Sequence, residues 1–63
     1  MHNETDNEIW RLPRVMAAVG VGRSTVYDMQ RRGDFPRAIR LGARAVGWRR
    51  ADIEQWIASR ERA

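Results

Sequence analysis

Residues 20–25 read Gly-Val-Gly-Arg-Ser-Thr, placing two glycines, one guanidinium and two hydroxyls in a single short stretch. Such a set can cradle phosphate oxygens. It serves a nucleotide in a P-loop, or a nucleic-acid backbone met by the start of a helix. The P-loop form is G-x-x-x-x-G-K-S/T, with Lys reaching the phosphates. Here Arg23 stands in place of that Lys, and Ala17 occupies the position of the first glycine. A chain of 63 residues is also shorter than a doubly wound sheet requires. The nucleotide reading therefore fails, and the backbone reading stands.

Other chemistry is scarce. The chain has no cysteine, so neither a disulfide nor a thiolate zinc site is available. The single histidine, His2, lies in the polar opening residues, where solvation is the simpler expectation than metal ligation. Ser24 has no histidine near it in the sequence to serve as a base, and the carboxylates are scattered. The expectation is a protein that is not an enzyme, with no metal, cofactor or small-molecule ligand.

Charge points to a partner. All twelve basic residues are arginine, the acids number eight, and the net charge is +4. Glu4, Asp6 and Glu8 all fall in the opening MHNETDNE, which lacks periodicity and reads as a disordered tail over residues 1–8. Residues 9–63 form the expected domain, and without those three acids the excess is +7. So basic a small body favours a polyanion. A basic surface docking an acidic protein is the alternative from another class. No apolar run approaches a membrane span and no secretory signal is read, so a cytoplasmic protein is expected. A domain this small buries only about 60% of the surface its unfolded chain exposes, so its core must be compact.

The elements that carry these groups follow from spacing. Leu12, Val15, Met16 and Val19 fall at i, i+3, i+4 and i+7, one face of a helix from about Pro13 to Val19. Pro13 suits the first helical position and Gly20 ends the helix. After Gly20-Val21-Gly22, a second helix carries RSTVYDMQRR, with Val26 and Met29 turned inward beside Val21. Gly33 stops it, and Phe35-Pro36 forces extended chain. Ile39 and Leu41 alternate with Arg40, Val46 and Trp48 alternate with Gly47 and Arg49, and Gly42-Ala43-Arg44 makes the turn of a hairpin. The hairpin must lay its apolar face on the helices, because alone it is barely stable. Ile53, Trp56 and Ile57 then mark the inward face of a third helix. Trp48 and Trp56 read as core, with Trp10 closing over it.

Two short helices joined through a glycine-containing turn form a helix-turn-helix, whose second helix enters the major groove of DNA. Ser24, Thr25 and Arg23 then stand at the positive end of that helix, where backbone phosphates are attracted. The order helix, tight turn, helix, hairpin, helix makes a small α+β domain with a helix-turn-helix, a two-stranded hairpin and a C-terminal helix.

The segments RLPRV, GRSTVYDM and GDFPRAIRLGARAVGWRRADIEQWI resemble the AlpA family of phage and prophage transcriptional regulators. That family is related to excisionases and more distantly to MerR-type DNA-binding heads. The similarity covers about residues 9–60. The family commonly has a serine N-cap before R-S-T, and Gly22 stands there in this chain; glycine caps only slightly less well, but a phosphate contact from that hydroxyl is lost. The resemblance implies a winged helix-turn-helix, with the hairpin as a wing touching an adjacent groove or backbone. It implies double-stranded DNA as partner, with Arg23, Ser24, Thr25, Tyr27 and Arg31 contacting it from the second helix and Arg40 and Arg44 from the wing. An excisionase bending DNA at an attachment site is the rival within the same chemistry.

Each residue also has a plainer role. Ser24 or Thr25 caps the helix if it does not meet phosphate. Tyr27 packs its ring on the wing with its hydroxyl toward a phosphate, or is a half-buried core residue, and both can hold. Asp28 pairs with Arg31 or Arg32, three and four residues on, and orients them, in preference to accepting from cytosine. Arg31 and Arg32 reach phosphate or guanine, or are solvated at the helix end. Arg44 at the hairpin tip is suited to a narrow minor groove; Arg37 and Arg40 are expected phosphate contacts. Arg49, Arg50, Arg60 and Arg62 are expected in solvent or paired with acids such as Glu54. No long dimerisation helix is present, so a monomer is expected in solution. One domain covers about one half-site, leaving room for cooperative self-association on DNA.

Overall fold

In a computed structural model the chain is described over residues 8–62. The elements run β1 (Ile9–Trp10), α1 (Leu12–Val19), α2 (Arg23–Arg31), β2 (Ile39–Gly42), β3 (Ala45–Arg49) and α3 (Arg50–Ala58). Three helices and a three-stranded antiparallel sheet of order β1-β3-β2 make a winged helix-turn-helix. Of the tail read over residues 1–8, only Glu8 lies among the described residues; its carbonyl accepts the Arg50 N–H at 2.9 Å.

Helix spacing translates directly into packing. Val15 of α1 and Val26 of α2 are fully buried, and Leu12, Met16, Val19, Val21 and Met29 pack around them. Pro13 occupies the second helical position, one later than its preference suggests, because Leu12 already has helical geometry. Trp10, Phe35, Trp48 and Ile53 complete the buried cluster. In α3, Ile53 is sealed and Trp56 packs on the cluster, but Ile57 is 41% exposed, contrary to the expected stripe. It lies one turn further along a helix that ends at Ala58, where the small core no longer reaches.

The sheet departs from the expected hairpin in two ways. First, β1 adds a third strand, pairing Ile9 with Arg49 and Trp10 with Trp48. Second, the two apolar sets of the hairpin lie on opposite faces. Ile39 pairs with Gly47 and Arg40 with Val46; directly paired residues share a face, and faces alternate along each strand. Trp48 therefore points into the core, and Val46 shares its face but is 42% exposed, beyond the reach of the core. Ile9, Ile39 and Leu41 cover Gly47 on the outer side. A register shift between Arg40 and Gly42 leaves Leu41 as the extra residue of a bulge.

Gly47 is required by this outer face. A Cβ there would stand 2.6 Å from Ile9 Cγ2 and 3.1 Å from both Leu41 Cδ1 and the Trp10 carbonyl oxygen. Ile9 is β-branched and the carbonyl belongs to the paired backbone, so neither yields easily. Gly47→Ala is expected to lower stability by about 1–3 kcal/mol. A thermal melt at or above the wild-type midpoint would contradict it.

Candidate nucleic-acid interface

The joint between α1 and α2 is built from two glycines with different tasks. Gly20 adopts a left-handed conformation (φ 75°, ψ 22°) and its N–H closes α1 onto the Met16 carbonyl at 2.8 Å. Side chains with a Cβ rarely take that conformation. Gly22 is extended (φ −81°, ψ 174°) and N-caps α2 with no side-chain hydrogen bond to the helix. Neither Ser24 nor Thr25 caps α2, as their plainer reading had it; both hydroxyls are exposed within the first turn.

Successive helix residues turn by about 100°, and Val26 marks the direction of the core. Ser24, Asp28 and Arg31, at i, i+4 and i+7, then form the ridge directly opposite. Thr25, Tyr27 and Arg32 flank it, and Arg23 lies at the N-terminal edge. Tyr27 is 41% exposed and outside the buried cluster, which corrects its reading as a half-buried core residue.

Asp28 makes the pairing its spacing predicts. Arg31 Nη2 donates to Asp28 Oδ1 at 2.9 Å, and Arg32 Nη2 lies 3.4 Å from Oδ2. The helix closes in a Schellman motif: Gly33 (φ 77°) donates to the Gln30 carbonyl at 3.1 Å and Asp34 to that of Met29 at 2.8 Å.

Beyond it, two indoles clamp the connection to the hairpin. Trp56 Nε1 donates to the Asp34 carbonyl at 2.7 Å and Trp48 Nε1 to the Pro36 carbonyl at 3.0 Å. Between these bonds Phe35 meets both rings edge-on, at centroid distances of 4.9 Å from Trp56 and 6.3 Å from Trp48. Arg37 follows this clamp directly. On the hairpin, Arg40 stands opposite Val46 and donates to the Ala43 carbonyl at 3.4 Å, and Arg44 lies in the turn.

The nine residues singled out from the sequence thus fall into two groups. Arg23, Ser24, Thr25, Tyr27, Arg31 and Arg32 gather on α2 and its C-cap; Arg37, Arg40 and Arg44 lie on the wing and its approach. All nine are exposed. Other arginines are engaged within the fold. Arg14 stacks over Trp10 at 4.6 Å from the ring centroid and Arg60 over Trp56 at 4.5 Å, while Arg50 donates from Nε to Glu54 at 3.0 Å and its Nη1 lies 4.0 Å from Glu8 Oε1. The two stacks were missed in the sequence, although tryptophan followed four residues later by arginine is visible there. Among the described residues no group of three or more His, Asp or Glu side chains could hold a metal ion, and no helix is long and apolar enough to cross a membrane.

A family model described as "Prophage CP4-57 regulatory protein (AlpA)" matches residues 8–61. The DNA-binding transcriptional activator AlpA of Escherichia coli (strain K12) is 35% identical over 66 aligned positions, covering 95% of this chain and 94% of that protein. An uncharacterized protein, ORF88, of Enterobacteria phage P4 is 38% identical over 56 positions; the match takes in 89% of this chain and 64% of the phage protein. The matched region holds all of α1, α2, the wing and α3, so the chain belongs to the AlpA family of prophage regulatory proteins.

Proposed function

We propose that this chain is a sequence-specific regulator of transcription that binds double-stranded DNA. In this reading α2 lies in the major groove, and the hairpin wing touches the adjacent groove or backbone. The observation that carries the reading is the outward ridge of α2. Its side chains are polar or charged, it contributes nothing to the core, and it begins at a helix end with no side-chain cap. Exposed N–H groups, two hydroxyls and Arg23 at that end suit a phosphate oxygen, which fixes register, while Arg31 and Arg32 reach toward bases or phosphates. Arg37, Arg40 and Arg44 supply charge from the wing. The curated relative named as a DNA-binding transcriptional activator supports the same partner. No cofactor, small-molecule ligand or catalysis belongs to this reading, and its place is the cytoplasm, on the nucleoid when bound. Several copies bind neighbouring half-sites cooperatively.

Fluorescence anisotropy against duplexes tiled across the neighbourhood of the protein's own gene, at several salt concentrations, tests this. With about five phosphate contacts, log K should fall against log salt with a slope of about −4 to −5. One fragment should stand out above a weak uniform background. No binding even at low salt would overturn the proposal in favour of an acidic protein partner.

A further inference from the structure

Asp28 occupies the centre of the ridge opposite Val26, where an acid works against affinity for a polyanion. It is the sole acid of α2, and its two oxygens are divided between two arginines, Oδ1 to Arg31 at 2.9 Å and Oδ2 to Arg32 at 3.4 Å. Arg32 is drawn a second way, its Nε lying 3.9 Å from Asp34 Oδ2. Both guanidiniums are thus folded back along the helix. All four side chains are substantially exposed, 48% for Asp28 and 74% for Arg31, so the pairs are weak and exchangeable.

We propose that Asp28 is a specificity-determining residue, which withholds Arg31 and Arg32 from arbitrary phosphates and releases them at a G·C pair facing the ridge. This rests on the DNA-binding reading. A phosphate offers an acceptor to arginine and only repulsion to the carboxylate, so on random sequence the intramolecular pairs compete with binding. A G·C pair presents guanine O6 and N7 as acceptors for a guanidinium and the cytosine N4 amino group as a donor for a carboxylate. An A·T pair also offers a donor at adenine N6 and acceptors at adenine N7 and thymine O4, but only guanine sets two acceptors side by side for a bidentate guanidinium. At G·C both members of the Asp28–Arg31 pair therefore exchange their partner with no loss. An acid used in this way lowers affinity for every sequence, and lowers it least for the correct one.

The test uses the full chain. Wild-type protein enriches its preferred duplex from a randomised pool. Wild type, Asp28→Asn and Asp28→Ala are then titrated against that duplex and against a mixed-sequence duplex at several salt concentrations. On mixed sequence the variants should bind about 5-fold tighter, with a salt slope steeper by about 1, the effect of one more phosphate contact. On the enriched duplex the gain should be under about 2-fold, so the discrimination ratio falls, and the G·C to A·T penalty at one position should vanish. Circular dichroism checks that both variants keep the wild-type fold, as an exposed site predicts. An equal gain on both duplexes would reduce Asp28 to plain charge repulsion, and no change on either would leave it a surface helix pair; both results overturn the proposal. Steep salt dependence without any preferred duplex removes the role of Asp28 and leaves DNA binding standing. No binding by wild type at all removes both.

Discussion

Trp48→Ala is expected to yield a chain with no cooperative thermal transition at room temperature and no near-ultraviolet circular dichroism. Trp48 is fully buried, meets Phe35 edge-on and pairs with Trp10 across the sheet. Removing a buried aromatic side chain of this size costs about 3–5 kcal/mol. A single core in a chain this short rarely supplies more than about 3–5 kcal/mol in total, so the loss consumes the whole margin. The Pro36 carbonyl would also lose the indole N–H that it accepts at 3.0 Å. Trp48→Phe separates the two contributions: most of the packing stays, and the melt should fall only partway. A cooperative Trp48→Ala transition near the wild-type midpoint would show that the core lies elsewhere.

The largest expected effect on binding comes from removing one arginine of each group together. Among the described residues Arg23 and Arg44 form no ion pair, so no acid of those residues competes with DNA for either. Each phosphate contact is worth about 5-fold in affinity near physiological salt. The Arg23→Ala/Arg44→Ala variant should therefore bind about 30-fold more weakly, with a salt slope shallower by about 1.8. The single variants should each account for about half of that change, as independent sites do. A double variant no weaker than Arg23→Ala alone would remove the wing from the interface.

Much of this was legible in the residues. Helical spacing put Leu12, Val15, Met16, Val19, Val26 and Met29 on inward faces, and all of them pack in or on the buried cluster. The i+3 and i+4 distances from Asp28 predicted a pair with Arg31 or Arg32, and the carboxylate reaches both. Trp48 and Trp56 were placed in the core and pack there. What could not be read depends on contacts between distant segments. Two residues, Ile9 and Trp10, show no periodicity, and they become a strand only because β3 offers them an edge. Alternation says which residues of one strand share a face, but not which residues of the next strand join them. That is a matter of register, and a shift of one residue exchanges the faces. The bulge at Leu41 and the separation of Ile39 from Trp48 were therefore hidden. Ile57 carried the right spacing and the wrong depth, since periodicity reports direction and not how far a core extends. For Ser24, Thr25 and the arginines, residue type told what each could touch, and exposure alone does not choose among those roles.

The clamp around Phe35 has a mechanical consequence. With Asp34 and Pro36 each tied to an indole, α2 and the wing would act, under the proposed DNA-binding function, as the two jaws of a calliper with a locked hinge. Such a tool measures distance as well as chemistry. One added base pair between the two places it touches would displace them by about 3.4 Å along the duplex and rotate one against the other by about a tenth of a turn. A flexible linker would absorb that change, and a locked one would reject it. Under the proposed function, spacing along the DNA becomes part of what this small domain recognises, set by one fully buried tryptophan and one that packs against the buried cluster.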